Sequence, residues 1–338
     1  MSSEKLAILV SEEVASVLAQ PLQELTRGRA SLRVQAHGQA LAESALLDVQ
    51  AAFHSVDLMT GSNKQAPNPR LAAFGAAIAA APRLRWLHTC AAGTDRPLMQ
   101  AAMRRGVTVT SSSGANAVGV AQCALAGMLA LARDVPAWVR DRDQRRWSLA
   151  SGFEHAPADL EGQHAVVVGL GPIGVEMARL CRALRLRVTG IRNRPLPEPA
   201  CDAVATLSEL PHRVADADWL VLCCPLTPQT RGLVDAALLA TLKPGARLVN
   251  VARGEVVVEP DLFDALRARR LGGAYTDVMV DEPPPEDSPW WTLPNVLLSP
   301  HVAGLTQGFA ARTQAMFLDN LVRWLDGQPL RNVARPTA

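Results

Sequence analysis

The chain has 338 residues, of which 49% are hydrophobic and 20% are charged. This balance is typical of a globular protein and excludes a largely disordered chain, and the length suffices for two domains with separate cores. The 34 basic side chains almost match the 32 acidic ones, so the charge indicates neither nucleic acid nor an anionic membrane as the main partner.

Short apolar runs typical of strands alternate with helical patterns along the chain. In chain order, strands are predicted at residues 6–10, 56–61, 85–89, 165–169, 187–191, 219–223, 247–251, 274–278 and 296–298. Helices are predicted at residues 71–80, 96–105, 116–133, 173–184, 235–242 and 260–270. This alternation predicts an α/β fold with parallel sheets covered by helices on both faces.

No segment of the sequence predicts export or a membrane span. The N-terminal residues 1–10 lack the long apolar run of a secretory signal. The longest apolar stretch, residues 118–132, is too short to cross a bilayer and contains Gln122, so we expect a buried helix. The six cysteines show no metal-ligand spacing. We predict no metal site, and reduced, buried thiols in a cytoplasmic protein.

A polar, arginine-rich stretch covers residues 133–162. Its alternating arginines and aspartates fit either an extended arm or the solvated face of a helix, and the pattern leaves both open. Trp138 and Trp147 are large apolar groups in this otherwise polar segment. Exposed aromatic side chains of this kind are typical of contacts with another subunit.

A glycine-rich turn, Gly169-Leu-Gly171-Pro172-Ile173-Gly174, directly follows an apolar strand and opens a helical pattern. Gly169 permits the tight turn, Gly171 lets a pyrophosphate approach the backbone, and Gly174 lets the helix pack closely on the strand. The N–H groups at the start of the helix would face the phosphates. In this context the motif indicates a dinucleotide-binding unit rather than a merely tight turn.

The second strand of this unit ends where an acidic residue would normally bind the ribose 2′-hydroxyl. Arg192-Asn193-Arg194 stands there instead. A carboxylate would repel a 2′-phosphate, whereas a guanidinium can bind one through two charge-assisted hydrogen bonds. We therefore predict NADP(H) as the preferred cofactor, with NAD(H) possible if Arg192 only stacks on the adenine.

Three further predicted strands end in polar residues that are candidates for catalysis: Arg253, Glu282 and His301. An arginine can bind and orient a substrate carboxylate. A histidine can protonate a carbonyl oxygen as hydride arrives, and a carboxylate can fix the tautomer of that imidazole. Each residue alone is more often structural. Together, behind a dinucleotide motif, they predict hydride transfer between a nicotinamide dinucleotide and a small 2-oxo or 2-hydroxy acid.

These segments resemble the successive signatures of the D-isomer-specific 2-hydroxyacid dehydrogenases. The matching stretches are residues 88–95, 113–117, 169–174, 225–231, 250–254, 277–283 and 299–304. The resemblance extends from about residue 84 to residue 330. Two departures stand out. Gln122 replaces a frequent glutamate, which we do not connect with catalysis. Arg192 replaces the usual acid, which directs the resemblance toward the NADPH-preferring glyoxylate and hydroxypyruvate reductases.

The resemblance implies a role for each matching residue. Arg253, Glu282 and His301 would be the substrate arginine, the orienting acid and the proton donor. The backbone of Ala92 and Gly93 would hold the substrate carboxylate, beside Arg253 and His301. Besides the glycine-rich turn and residues 192–194, the implied cofactor contacts are Pro225, Val251, Ala252, Asp277 (to the nicotinamide carboxamide) and Gly304.

The resemblance also implies two doubly wound parallel-sheet domains. A Rossmann cofactor domain, residues 113–301, would be inserted into a flavodoxin-like substrate domain of residues 1–112 and 302–338. A homodimer would form on the helix and arm that contain Trp138 and Trp147. The alternatives are an NAD-dependent dehydrogenase of a bulkier 2-oxo acid and a dinucleotide-sensing regulatory binding protein. Turnover of 2-oxo acids would distinguish an enzyme from a sensor.

Overall fold

The computed structural model describes residues 5–36, 39–61, 68–148 and 156–335. The β-strands are β1 (Leu6–Ser11), β2 (Ala30–Gln35), β3 (Val49–His54), β4 (Trp86–Thr89), β5 (Thr108–Ser111), β6 (His164–Val168), β7 (Arg187–Ile191), β8 (Ala203–Ala205), β9 (Trp219–Leu222), β10 (Arg247–Asn250), β11 (Gly273–Thr276) and β12 (Val296–Leu298). The α-helices are α1 (Glu12–Thr26), α2 (Glu43–Leu46), α3 (Pro69–Ala80), α4 (Pro97–Arg104), α5 (Ala117–Ala132), α6 (Val135–Asp143), α7 (Pro172–Ala183), α8 (Leu210–Arg213), α9 (Ala236–Thr241), α10 (Glu259–Arg267) and α11 (Phe309–Leu325).

The chain divides into two compact units. Unit 1 comprises residues 1–116 and 306–338, and unit 2 comprises residues 117–305. The domain boundaries expected from the sequence, after residues 112 and 301, stand four residues before these divisions at 116 and 305. Which unit binds substrate and which binds cofactor stays a prediction at this point.

Unit 1 contains a parallel five-stranded sheet in the order β2-β1-β3-β4-β5. This is the flavodoxin-like doubly wound order. The interior strand β1, between β2 and β3, is buried along its whole length, as expected for an apolar run covered on both faces. Its neighbouring residues Ile8 and Leu9 belong to different core clusters, because successive side chains of a strand point to opposite faces.

Unit 2 contains a parallel seven-stranded sheet in the order β12-β11-β10-β9-β6-β7-β8. Counted from β6, the first strand of the unit, this is the Rossmann order 3-2-1-4-5-6 with one added strand. The order reverses between β6 and β9, and ligands of such sheets bind outside the carboxyl ends of the strands at that point. Two doubly wound parallel sheets confirm the predicted fold class.

One predicted strand is wrong. Residues 56–61 were expected to be extended, but Val56–Met59 forms a turn of 3₁₀ helix. The strand lies just before it, at β3, and is almost entirely buried. Its Ala51-Ala52 pair has a low preference for strands, so the segment gives no strand signal. Its position between β1 and β4 overrides that preference.

The structure also describes the six cysteines and most of the arginine-rich stretch. All six cysteines are free; Cys90, Cys181 and Cys224 are buried, and the other three are half-buried. The arginine-rich stretch continues from α5 into helix α6, while residues 149–155 of the predicted arm lie outside the described residues.

Among the described helices, none is by itself long and apolar enough to cross a membrane. Helices α5 and α6 satisfy those criteria only as a pair bent by 68°.

Candidate active site

The glycine-rich turn joins β6 to α7 at the point where the strand order reverses. Gly169 has φ +96°, and a Cβ there would lie 2.6 Å from the backbone of Cys224. A Cβ on Gly174 would lie 1.9 Å from the carbonyl oxygen of Gly169. These two glycines are therefore required by the fold, because any side chain would force the strand, turn and helix apart.

Gly171 differs from its two neighbours. It is the N-cap residue of α7, and a Cβ added to it would meet no atom within 4 Å. As a glycine it has no side chain that could cap the helix, whose first turn begins with Pro172 and Ile173. Open space at the N-terminus of this helix fits a pyrophosphate, which backbone N–H groups and the helix dipole attract.

Arg192, Asn193 and Arg194 follow the end of β7. Arg192 is half-buried and the other two are exposed. Among the described residues, the guanidinium groups of Arg192 and Arg194 form no side-chain hydrogen bond or ion pair. Arg187, at the opposite end of the same strand, forms an ion pair with Asp216. The carboxyl end of β7 thus presents two positive charges that no described carboxylate neutralises.

Arg253 lies in the loop that follows β10. The Asn250 side chain shapes this loop: its Oδ1 accepts from the Ala252 amide at 3.0 Å, and its Nδ2 donates to the Arg253 carbonyl oxygen at 3.1 Å. A Cβ on Gly254 would lie 2.0 Å from the carbonyl carbon of Met279. The glycine therefore allows the arginine loop to lie directly against the loop that follows β11.

Glu282 and His301 form the hydrogen-bonded pair that the sequence predicts. His301 Nδ1 lies 2.8 Å from Glu282 Oε2, and Glu282 Oε1 accepts from the Met279 amide at 3.1 Å. The side chain of Glu282 is 11% exposed, whereas that of His301 is 36% exposed. Because an ionised carboxylate only accepts, Nδ1 donates. The pair thus fixes the ring orientation and leaves Nε2 as the ring nitrogen that does not contact Glu282.

Asp277 holds the loop that carries His301. Its buried carboxylate accepts from the amides of Val302 at 2.9 Å and Ala303 at 3.0 Å, and from the Ser299 hydroxyl at 2.5 Å. The carbonyl oxygen of Asp277 accepts from the His301 amide at 2.8 Å. His301 itself has φ +54°, in the left-handed region. The predicted contact of Asp277 with a nicotinamide carboxamide stays a prediction.

The remaining predicted site residues lie on several loops. Val251 and Ala252 are buried between β10 and Arg253, Pro225 is exposed after β9, and Gly304 is half-buried after the histidine loop. Ala92 and Gly93 lie in unit 1, half-buried in the loop after β4. Tyr275 and Ser299 are not among the predicted site residues, yet their hydroxyl oxygens lie 2.8 Å apart beside Asp277. A tyrosine within a buried strand was the available signal, since a buried phenol needs a hydrogen-bond partner.

Comparison with known proteins identifies the family. Residues 125–303 match the model of the NAD binding domain of D-isomer specific 2-hydroxyacid dehydrogenases. The chain belongs to this family. It is 31% identical over 255 residues to D-3-phosphoglycerate dehydrogenase of Archaeoglobus fulgidus, an alignment that covers 75% of this chain but only 48% of that protein. The chain thus spans about half the length of that relative.

Two further relatives of this family of 2-hydroxyacid dehydrogenases match over more of their length. Glyoxylate/hydroxypyruvate reductase B of Pectobacterium atrosepticum is 33% identical over 257 residues, which is 76% of this chain and 80% of that protein. A D-isomer specific 2-hydroxyacid dehydrogenase from Xanthobacter autotrophicus Py2, solved in complex with NADPH and MES, superposes with a TM-score of 0.77. It has 27% sequence identity, and the match covers 98% of each chain.

Proposed function

We propose that this protein is a D-2-hydroxyacid dehydrogenase that reduces a small 2-oxo acid, such as glyoxylate or hydroxypyruvate, with NADPH in preference to NADH. The observation that carries the proposal is the hydrogen bond of 2.8 Å between His301 Nδ1 and Glu282 Oε2. It lies in a unit whose glycine-rich turn leaves open space at the N-terminus of α7. A proton donor and a dinucleotide cradle on one sheet are the two parts that this chemistry needs.

His301 is the proposed general acid for reduction and general base for oxidation. The buried carboxylate of Glu282 accepts from Nδ1, which fixes the orientation of the ring and keeps a proton on Nδ1. Nε2 can then deliver its proton to the carbonyl oxygen as negative charge develops there. In the reverse direction the neutral ring takes the hydroxyl proton at the same nitrogen.

Arg253 is the proposed clamp on the substrate carboxylate. Its planar guanidinium can donate two parallel hydrogen bonds to a carboxylate, which both neutralises the acid and orients the carbonyl group. The Asn250 side chain and the packing of Gly254 on Met279 define the path of the backbone that bears it. From the family resemblance, we propose that the backbone of Ala92 and Gly93 binds the same carboxylate.

The proposed cofactor site is built from the switch-point loops of unit 2. The turn at residues 169–174 would bind the pyrophosphate, and Asp277 would accept from the carboxamide. Pro225, Val251, Ala252 and Gly304 would line the remaining surface. When bound, the nicotinamide supplies the hydride for reduction and accepts it in oxidation.

NADPH preference is proposed from Arg192, Asn193 and Arg194. The two guanidinium groups have no described carboxylate partner, so both can bind a 2′-phosphate without first breaking an ion pair. The acidic residue that would bind a 2′-hydroxyl and repel the phosphate is absent from this position. The solved relative with NADPH supports a dinucleotide of this kind.

We further propose a homodimer formed through α5, α6 and the following stretch. Trp138 is 58% and Trp147 is 91% exposed, and exposed aromatics of this size favour subunit contacts. Sedimentation of the purified protein gives the mass directly, and a monomer at assay concentrations would contradict this part of the proposal. The predicted cytoplasmic localisation stays a prediction.

A steady-state panel tests the proposed activity. Glyoxylate, hydroxypyruvate, an aromatic and a branched 2-oxo acid are each assayed with NADPH and with NADH. We expect the highest kcat/KM for a small acid with NADPH. Preference for a bulky acid with NADH would assign the chain to the alternative dehydrogenase activity. Binding of a dinucleotide without turnover of any 2-oxo acid would assign it to a sensor.

A further inference from the structure

A chain of buried hydrogen bonds begins at Tyr275, the only tyrosine in the sequence. Tyr275 belongs to β11 and is 5% exposed. Its Oη lies 2.8 Å from Ser299 Oγ and 3.0 Å from Cys123 Sγ. Burial raises the pKa of the phenol above its ordinary value. The hydroxyl therefore stays protonated and can act as a donor.

The direction of these hydrogen bonds follows from the acceptor at their end. Ser299 Oγ donates to Asp277 Oδ1 at 2.5 Å, and a serine hydroxyl has only one hydrogen to donate. Ser299 Oγ must therefore accept from Tyr275 Oη. The resulting chain runs from Tyr275 through Ser299 to the carboxylate of Asp277, with every hydroxyl donating toward the negative charge.

The carboxylate at the end of this chain holds the two residues that follow His301. It accepts from the amides of Val302 and Ala303, and the Asp277 carbonyl oxygen accepts from the His301 amide. His301 adopts φ +54°, an unfavourable conformation that persists only when the surrounding contacts hold it. The hydroxyl chain thus supports the carboxylate that holds the backbone directly after the strained histidine.

The position of the Tyr275 ring is itself defined by packing. A Cβ added to Gly127, in helix α5, would lie 2.3 Å from Cγ of the ring. The glycine therefore leaves the space that the ring occupies, and the Cys123 thiol, one turn earlier on the same helix, contacts the phenol oxygen. Helix α5 thereby sets where the phenol hydroxyl can lie.

We propose that Tyr275 and Ser299 are positioning residues for His301 and that they act through Asp277. Neither needs to touch the substrate. Without the chain, the carboxylate of Asp277 loses a donor and the backbone of residues 299–303 relaxes toward ordinary conformations. The imidazole then spends less time in the geometry for proton transfer, so kcat falls more than KM rises. This inference rests on the proposed function for its kinetic consequence only.

The kinetic test compares five variants with the wild-type enzyme: Ser299→Ala, Tyr275→Phe, the double variant, Ser299→Thr, and the matched control Thr189→Val. Thr189 has a buried hydroxyl in the same unit, bonded to His164 at 2.9 Å and away from the histidine loop. We expect kcat for 2-oxo acid reduction to fall about three- to tenfold in Ser299→Ala and Tyr275→Phe. Ser299→Thr keeps the hydroxyl and should retain a kcat close to that of the wild type. Thr189→Val should leave kcat unchanged.

The double variant gives the most discriminating comparison. Because Tyr275 acts only through Ser299, the double variant should lose no more than Ser299→Ala alone. Losses that multiply would show that Tyr275 acts by another route and would overturn the proposal. So would a lower Tm with unchanged kcat in Ser299→Ala and Tyr275→Phe, because that result describes a role in stability only.

A second measurement needs no substrate and separates this inference from the proposed function. Amide hydrogen exchange of the substrate-free protein at Val302 and Ala303 should accelerate about tenfold in Ser299→Ala and stay unchanged in Thr189→Val. The single tyrosine, labelled with ¹³C at Cζ, gives one resonance that should shift in Ser299→Ala. Unchanged exchange and an unmoved resonance would overturn the inference. If the wild-type protein reduces no 2-oxo acid but Ser299→Ala changes both the exchange rates and the resonance, the proposed function alone is refuted.

Discussion

The proposed preference for NADPH can be tested by changing the charge at one end of a single strand. Arg192 follows the last residue of β7, and no described carboxylate pairs with its guanidinium. The full strength of a contact with a 2′-phosphate is therefore available to binding. A hydrogen bond to a charged group contributes about 1.5–3 kcal/mol, which corresponds to a preference for NADPH of roughly ten- to a hundredfold in kcat/KM.

Arg192→Ala should remove most of this preference, and Arg192→Asp should reverse it, because the new carboxylate repels a phosphate and can bind a 2′-hydroxyl. Arg187→Ala is the matched control, since it removes the same charge from the other end of the same strand. At about 3.3 Å per residue the two positions lie about 16 Å apart, which exceeds the Debye length of about 8 Å at physiological salt.

The assay is kcat/KM for NADPH and for NADH at fixed ionic strength with one saturating 2-oxo acid. The ratio should change in the Arg192 variants and not in Arg187→Ala. A wild-type enzyme that prefers NADH, or an equal change in both variants, would refute the assignment of Arg192 to the 2′-phosphate.

Other expected outcomes concern catalysis and the glycine-rich turn. Arg253→Lys keeps the charge but loses the planar fork, so KM for the oxo acid should rise and kcat should fall at unchanged cofactor affinity; near-normal turnover would make the residue structural. Glu282→Gln should lower kcat for reduction with cofactor affinity little changed, because the carboxylate that accepts from Nδ1 and orients the imidazole is lost; an unchanged kcat would remove Glu282 from the mechanism. His301→Ala should abolish most turnover while dinucleotide binding, measured by fluorescence titration, persists. Gly174→Ala should lower Tm, because its Cβ would lie 1.9 Å from a carbonyl oxygen, whereas Gly171→Ala should keep Tm and weaken dinucleotide binding; equal Tm values would contradict the steric distinction.

Much of the fold could be predicted because its periodic signals are strong. The strands at residues 187–191 and 296–298 have the predicted bounds, and β6 follows the predicted apolar run within one residue. Where an element lacks such a signal the prediction fails, as at β3, whose paired alanines become a strand only through burial between two neighbours. Tertiary position, rather than local preference, decides that segment.

The candidate site was predicted as a set of residue types but not as a geometry. The order of motifs indicated that Glu282 and His301 belong together, and their atoms lie 2.8 Å apart. The left-handed backbone of His301 gives no sequence signal, since histidine does not require it. The partners of Asp277 were likewise hidden, because they are mostly backbone amides, which every sequence contains.

The order of strands in unit 2 separates the residues proposed to select the cofactor from those proposed to carry out the reaction. Arg192 and Arg194 follow β7, while Arg253, Glu282 and His301, the proposed clamp, orienting acid and proton donor, follow β10, β11 and β12, on the other side of β6 and β9. From β7 to β10 there are three strand spacings, or about 14 Å, and substitutions at that separation usually act additively. Substitutions in the loop after β7 alone could therefore change the cofactor of a descendant of this protein from NADPH to NADH and leave its reaction and its substrate unchanged.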